Sequence, residues 1–293
     1  MLPLYSLEIG ECPARGDGHS GLWHERFFNG YVGWKRPTSK VEKEDWADKK
    51  IKWLEAMATP SCGEHAACES ATRRLAELCK GLGGQIRVYE CTWHMVTGLG
   101  NPHPLENGFA WHPTLATPYL AGSAVKGLVR AWVESWMEFS DPDANMQKLN
   151  RLYRWFGSEH KDPKERKKLR DTGFVPPSAL AKPDTEAGCF IFFDAIPVKP
   201  VRLKADVMTP HMGDWYEKGG QIGSLSESDR VPADWHDPVP VGFLVAHKPR
   251  LQFAIAPRTA AAKDELNELM DALGMALEFL GAGAKTAGTA SVD

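Results

Sequence analysis

Between residues 241 and 280 the sequence spells out a strand, a short break, a second strand and a helix, an order that commits the chain to a layered domain of sheet and helices. Val241, Phe243 and Val245 alternate with their neighbours, as do Leu251, Phe253 and Ile255, and a period of two places each set on one face of a strand. The intervening Lys248-Pro249-Arg250 reads as a turn, so the spacing predicts a β-hairpin. The period then lengthens, because Leu266, Leu269, Met270, Leu273, Leu277 and Leu280 fall on one face of a helix. Each element carries an apolar face that must be buried on another, and the predicted class is α+β.

The upstream pattern completes that reading. Ile86 to Val96 is β-branched and aromatic and predicts a strand, and a loop rich in Gly, Pro and Asn leads to a helix from Ser123 to about Phe139. Cys189 to Phe193 is a continuous apolar run, as in a strand buried on both faces, and Thr286 to Val292 has the pattern of a last short strand. Strand, helix, two or more strands, helix, strand is the ferredoxin-like (RRM-like) order. The expected domain covers 85–293, with insertions at 141–187 and 205–240. The first insertion holds a helix with Met146, Leu149, Leu152, Tyr153 and Phe156 on one side, followed by the charge-dense Lys161 to Arg170, which reads as a solvated loop.

Residues 1–84 form an N-terminal extension. Met1 to Pro37 is irregular and Gly-rich, whereas Val41 to Ala58 and Ala67 to Leu82 are helical, the second stopping at Gly83-Gly84. The two helices are expected to form an antiparallel pair on the main sheet. Trp23, Trp34, Trp46 and Trp53 crowd this part; exposed, they would suit a subunit interface, but large aromatics are well buried on average, so packing of a subdomain is the favoured reading.

Charge narrows the function. A net charge of −3 over 293 residues excludes a broadly basic nucleic-acid binder and leaves room for a local groove. Six cysteines at irregular spacing, with no leader pattern ahead of them, predict a reduced cytoplasmic protein, and no apolar run reaches membrane-spanning length.

Two motifs suggest anion binding. In Tyr119-Leu-Ala-Gly122-Ser123-Ala-Val-Lys126-Gly127-Leu-Val-Arg130, Ser123 has the character of an N-cap, and Lys126 and Arg130, four apart, share a helix face. A phosphate at such a helix start meets free N–H groups, a favourable dipole and two cations. The second motif, Gly281-Ala-Gly283-Ala-Lys285-Thr286, follows the amphipathic helix. It is no Walker A loop, since the two glycine positions that such a loop needs hold Ala284 and Phe279, and the dinucleotide fingerprint fails at Thr286. Two readings remain for it: a backbone nest for RNA phosphate, or a plain helix cap turning into a strand.

These two motifs, together with Gly188 to Pro197, Asp206 to His211 and Asp237 to Val245, resemble RAMP proteins, the RNA-binding subunits of CRISPR effectors, and most closely the sixth-subunit branch of the type III-B Cmr complex. The resemblance runs in order from about Gln85 to Thr286; residues 1–84 match weakly. It departs at Ala121, where the family has proline, and beyond Lys285-Thr286. It implies a RAMP fold, guide RNA and target RNA as ligands, other RAMP subunits of the Cmr complex as partners, and no membrane. The implied RNA-binding residues are Gly122, Ser123, Lys126, Arg130, Gly281, Gly283, Lys285 and Thr286. A thumb hairpin in 205–240, carrying Met208, His211, Trp215 and Tyr216, would push between nucleotides of the guide–target duplex; a plain loop is the other reading there. His94, His103, His112, His211, Asp194 and Asp206 match no metal-ligand or acid–base spacing, so neither cofactor, metal nor catalytic residue is expected. A RAMP endoribonuclease is the alternative.

Overall fold

The computed structural model describes residues 18–28, 40–58, 61–103, 105–137, 144–157, 187–209, 215–216, 240–283 and 290–292. Their element order is α1 (Ser20–Arg26), α2 (Lys40–Met57), α3 (His65–Gly81), β1 (Gln85–Cys91), β2 (His94–Met95), α4 (Gly122–Ser135), α5 (Ala144–Phe156), β3 (Phe190–Phe192), β4 (Ile196–Pro197), β5 (Arg202–Met208), β6 (Val241–His247), β7 (Arg250–Pro257), α6 (Leu266–Phe279) and β8 (Ala290–Val292). Two units are compact in themselves. The smaller takes Met1–Ser61, Leu99–Phe109 and Leu203–Val245, and the larger takes Cys62–Gly98, Ala110–Arg202 and Ala246–Asp293.

In the larger unit the sheet runs β3-β7-β1-β8, antiparallel at every junction, with β4 also pairing to β7. Strand β7 is buried from Leu251 through Pro257 because both faces of the sheet are covered. Successive side chains point to opposite faces. Ala254 and Ala256 pack with Cys79 of α3, and the Gln252 side-chain amide donates to the Thr72 carbonyl at 2.9 Å. Phe253 on the other face meets the edge of Tyr89, with ring centroids 5.5 Å apart. Arg87 shares that face and reaches α6, donating to the Met270 carbonyl at 2.9 Å and to Asp271 at 2.7 Å. Helix α6 buries Leu266, Leu269, Met270, Leu273 and Leu277, each such side chain contributing roughly 2 kcal/mol of hydrophobic stabilisation.

Helix α5 is tied to the start of α6 by a buried carboxylate. Glu265 accepts from the Trp155 indole N–H at 2.6 Å and from the Arg154 and Arg151 guanidinium groups at 2.6 and 3.2 Å. The basic run Lys161 to Arg170 lies outside the described residues.

Strands β6 and β7 do not form the expected hairpin. Gln85 to Glu90 pair with Ile255 to Arg250, and then His94 and Met95 pair with His247 and Ala246. The chain from 246 to 255 therefore runs one way along a single antiparallel partner, and Lys248-Pro249 is a kink inside it. Residues 91–93 oppose only 248 and 249 at this point, which makes a β-bulge. Cys91 N–H donates to the Pro249 carbonyl at 3.0 Å, Lys248 N–H donates to the Trp93 carbonyl at 3.1 Å, and Lys248 takes φ +47°. Alternation identifies strands without identifying their partners, and here pairing with β1 and β2 displaces the local turn.

In the smaller unit β5 and β6 are neighbours. Ala205 to Met208, the start of the expected insertion, are strand, and most of the rest of it lies outside the described residues. Of the thumb candidates, Met208 is half-buried, Trp215 and Tyr216 are described, and His211 lies outside the described residues. Trp23 stacks on Trp53 with centroids 3.7 Å apart, and Phe28 packs edge-on to Trp53 at 5.6 Å; Leu54 and Met57 of the same helix are buried. Two of the four N-terminal tryptophans thus pack together; Trp34 and the Trp46 side chain lie outside the described residues. Helix α2 belongs to the smaller unit and α3 to the larger, where it covers the sheet. No helix among the described residues is long and apolar enough to cross a membrane.

Candidate nucleic-acid interface

Helix α4 carries the first motif, and its start is not the one expected. The N-cap is Ala121, with no side-chain cap of its own, and Ser123 stands exposed as the second helical residue. The cap is supplied from afar: the Asp194 carboxylate accepts the Gly122 N–H at 2.7 Å. The expectation failed because capping was sought in the adjacent sequence, whereas a carboxylate satisfies a helix N-terminus equally well from another segment. Gly122 is required by close approach, since a Cβ there would run into the Phe192 carbonyl.

At about 100° per residue, α4 presents three faces. Val125, Val129 and Val133 form the buried stripe. Lys126 and Arg130 lie to one side of it; Ala121, Ala124, Leu128 and Ala131 lie to the other, roughly 160° away around the helix. On the cationic side Arg130 pairs with Glu134 at 2.9 Å, and Arg258 donates to the Gly188 carbonyl at 3.1 Å. Burial holds the Lys126 ammonium below its ordinary pKa, and repulsion from Arg130 and Arg258 adds to it.

The opposite side of α4 forms a groove of about 550 Å³ with Thr97, Gly98, Ala110, Tyr119 and the turn from Leu280 to Gly283. Gly281 has φ +72° and its N–H donates to the Ala276 carbonyl at 3.2 Å, closing α6 as a left-handed cap. Gly283 has φ +108°, and a Cβ on it would lie 2.5 Å from the Val96 carbonyl oxygen. The fold therefore joins the two motifs along one groove, but through the small residues of α4, and it sends Lys126 and Arg130 to the other edge. Lys285 and Thr286 lie outside the described residues, and Met208 belongs to the smaller unit. Sequence reasoning missed Thr97, Gly98 and Leu128. The stripe Ala121, Ala124, Leu128, Ala131, spaced three and four apart, was the signal available.

The candidate acid–base residues have separate partners. His94 packs against Trp93 and His247, and His112 Nδ1 accepts from the Leu115 N–H at 3.2 Å. His103 stacks on buried His24 at 4.0 Å, and burial pushes its pKa down to about 4. Asp194 serves as the cap and Asp206 accepts from the Val207 N–H at 2.8 Å. Among the described residues no three His, Cys, Asp or Glu side chains gather as a metal would require.

Comparison with known proteins gives these features a family. The RAMP superfamily profile matches residues 88–289. The CRISPR system Cmr subunit Cmr6 of Pyrococcus furiosus is 29% identical over 225 residues, which span 66% of this chain and 62% of that relative. A chain in the cryo-EM structure of the type III-B Cmr-beta bound to cognate target RNA superposes with a TM-score of 0.55 at 18% identity, over 88% of this chain and 76% of its own. The crystal structure of Cmr6 from Pyrococcus furiosus gives a TM-score of 0.37 at 22% identity, over 72% of this chain and 98% of its own. With the profile running from β1 through the glycine turn and across more than half of the sequence, the chain belongs to the RAMP superfamily.

Proposed function

We propose that this chain is a non-catalytic, RNA-binding structural subunit of a type III-B CRISPR interference complex, holding the 3′ region of the guide RNA and the guide–target duplex beside other RAMP subunits. The sheet order β3-β7-β1-β8 with α4 and α6 as its crossovers supports a ferredoxin-like (RRM-like) RAMP domain over 85–293, with 1–84 as an extension and insertions at 141–187 and 205–240. Likeness to a Cmr6 relative, and to a chain from a target-RNA-bound Cmr structure, supports the partners. The observation that carries RNA binding is the cationic edge of α4, where Arg130 and Arg258 are both close enough to repel the Lys126 ammonium. Like charges held together are relieved by an anion, and a phosphate backbone is a repeated anion.

The experiment replaces Lys126 and Arg130 with alanine and follows RNA binding against salt. Affinity should fall with little sequence bias, and the log–log salt slope should flatten by about one per lost contact. An unchanged slope removes this edge from the RNA site. For the non-catalytic part, labelled guide precursor or target RNA incubated with the chain and Mg²⁺ or Mn²⁺ should remain at the level of a heat-inactivated control. Turnover abolished by His211→Ala or Asp206→Ala would favour the endoribonuclease.

A further inference from the structure

The bulge between β1 and β2 displays an aromatic ring that neither sequence motif contains. Trp93 is 55% exposed, an uncommon setting for an indole in a chain with a full core. Its inner face stacks on His94, with centroids 4.8 Å apart and planes 21° apart, and His247 meets it edge-on at 6.4 Å. The edge-on contact of His94 with His247 at 5.2 Å backs the stack from below. The backbone is fixed as well, because the Trp93 carbonyl accepts the Lys248 N–H at 3.1 Å. Lys248 is exposed and stands at φ +47°, a conformation that costs a non-glycine residue about 1 kcal/mol or more and persists where surrounding structure enforces it. Bulges re-aim side chains, and this one turns an indole and an ammonium outward from adjacent points of two paired strands.

We propose that Trp93 is a stacking platform for one base of single-stranded RNA, with Lys248 meeting the adjoining phosphate. This rests on the RNA-binding reading above and adds a second contact point to it. The surroundings of the ring select the ligand. A protein-docking tryptophan sits in an apolar patch with a polar rim, whereas the rings packed on Trp93 are imidazoles and its backbone partner is a lysine. A rigid, exposed aromatic ring whose backbone partner is an exposed lysine offers an unpaired nucleotide a surface for its base and a charge for its phosphate, and such stacking tolerates any base.

The test uses the full chain, a short fluorescein-labelled oligouridine, and the same ribose-phosphate chain without bases, read by anisotropy at several salt concentrations. Trp93→Ala should weaken oligouridine binding about tenfold and leave the abasic chain nearly unchanged, because only the base is lost. Trp93→Phe should retain most of the affinity. Lys248→Gly, which relaxes the backbone as it removes the charge, should weaken both probes and flatten the salt slope by about one. Oligouridine affinity unchanged in Trp93→Ala, or an equal loss on the abasic chain, overturns the stacking site. Should Trp93→Ala bind oligouridine normally while the Lys126/Arg130 double variant does not, only the stacking site falls. Failure of the wild-type chain to bind either probe overturns the RNA-binding reading and this site with it.

Discussion

Asp194 separates a structural account of the α4 N-terminus from a phosphate-binding one, because the two make opposite demands on its charge. Its carboxylate holds the Gly122 N–H at 2.7 Å while no nearby side chain caps the helix. Asp194→Ala removes that acceptor and should cost about 1 kcal/mol, within the range of roughly 0.5–2 for lost caps. For a chain of 293 residues that lowers Tm by about 2 °C. Asp194→Asn keeps an acceptor oxygen, and asparagine caps about as well as aspartate, so its Tm should stay near wild type. RNA binding should move the other way: both variants remove a negative charge from a helix end that favours anions, an effect of about 0.3–1 kcal/mol, or roughly two- to fivefold tighter binding at low salt. Screening should shrink that gain as salt rises. Thermal melts followed by circular dichroism, and anisotropy with labelled RNA at two salt concentrations, measure both quantities on the same preparations. An Asp194→Ala protein as stable as wild type would refute the cap. Weaker RNA binding by the asparagine variant would refute the claim that this carboxylate excludes phosphate from the helix start.

Three further outcomes follow from the same geometry. Gly122→Ala, which at an ordinary helical position gains up to about 1 kcal/mol, should instead destabilise by roughly 1–3 kcal/mol because its Cβ meets the Phe192 carbonyl; a rise in Tm would contradict that contact. Glu265→Ala leaves the buried Trp155 indole N–H without its acceptor and should cost about 1–3 kcal/mol in urea unfolding, with a smaller loss in a Trp155→Phe background, where only the Arg151 and Arg154 pairs remain to be lost; additive losses would deny the coupling. His103 has its folded pKa lowered by burial from 6.5 to about 4, and buried His24 is lowered too. Below pH 6.5 the unfolded chain takes up protons that the folded chain refuses, so stability is fully present above that pH, falls toward pH 4 and levels off beneath it, by at most about 3 kcal/mol for His103. Equal urea midpoints at neutral pH and near pH 4.5, or equal pH dependence in His103→Phe, would count against this account.

Local sequence determined the elements. The period of two in β7, the apolar face of α6 and the double glycine after α3 fixed strand, helix and stop, because these depend on residues within one or two turns of each other. The glycine motif likewise announced a turn, since φ values of +72° and +108° at Gly281 and Gly283 are accessible to few other residues. What the sequence left open is everything set by a distant partner. Val241 to His247 reads as half of a hairpin until β1 and β2 are present to extend the strand across Lys248. Ser123 reads as a cap until Asp194 arrives from 72 residues away. Lys126 and Arg130 were legible as neighbours on one helix face, but which face packs against Leu280 to Gly283 is decided by the burial of Val125, Val129 and Val133. Trp93 is one tryptophan among eleven in the sequence, and only the bulge that sets residues 91–93 against 248 and 249 turns it to water. Periodicity is a property of a segment and survives in isolation, whereas pairing, capping and exposure are settled by long-range contacts that form only when the whole domain closes.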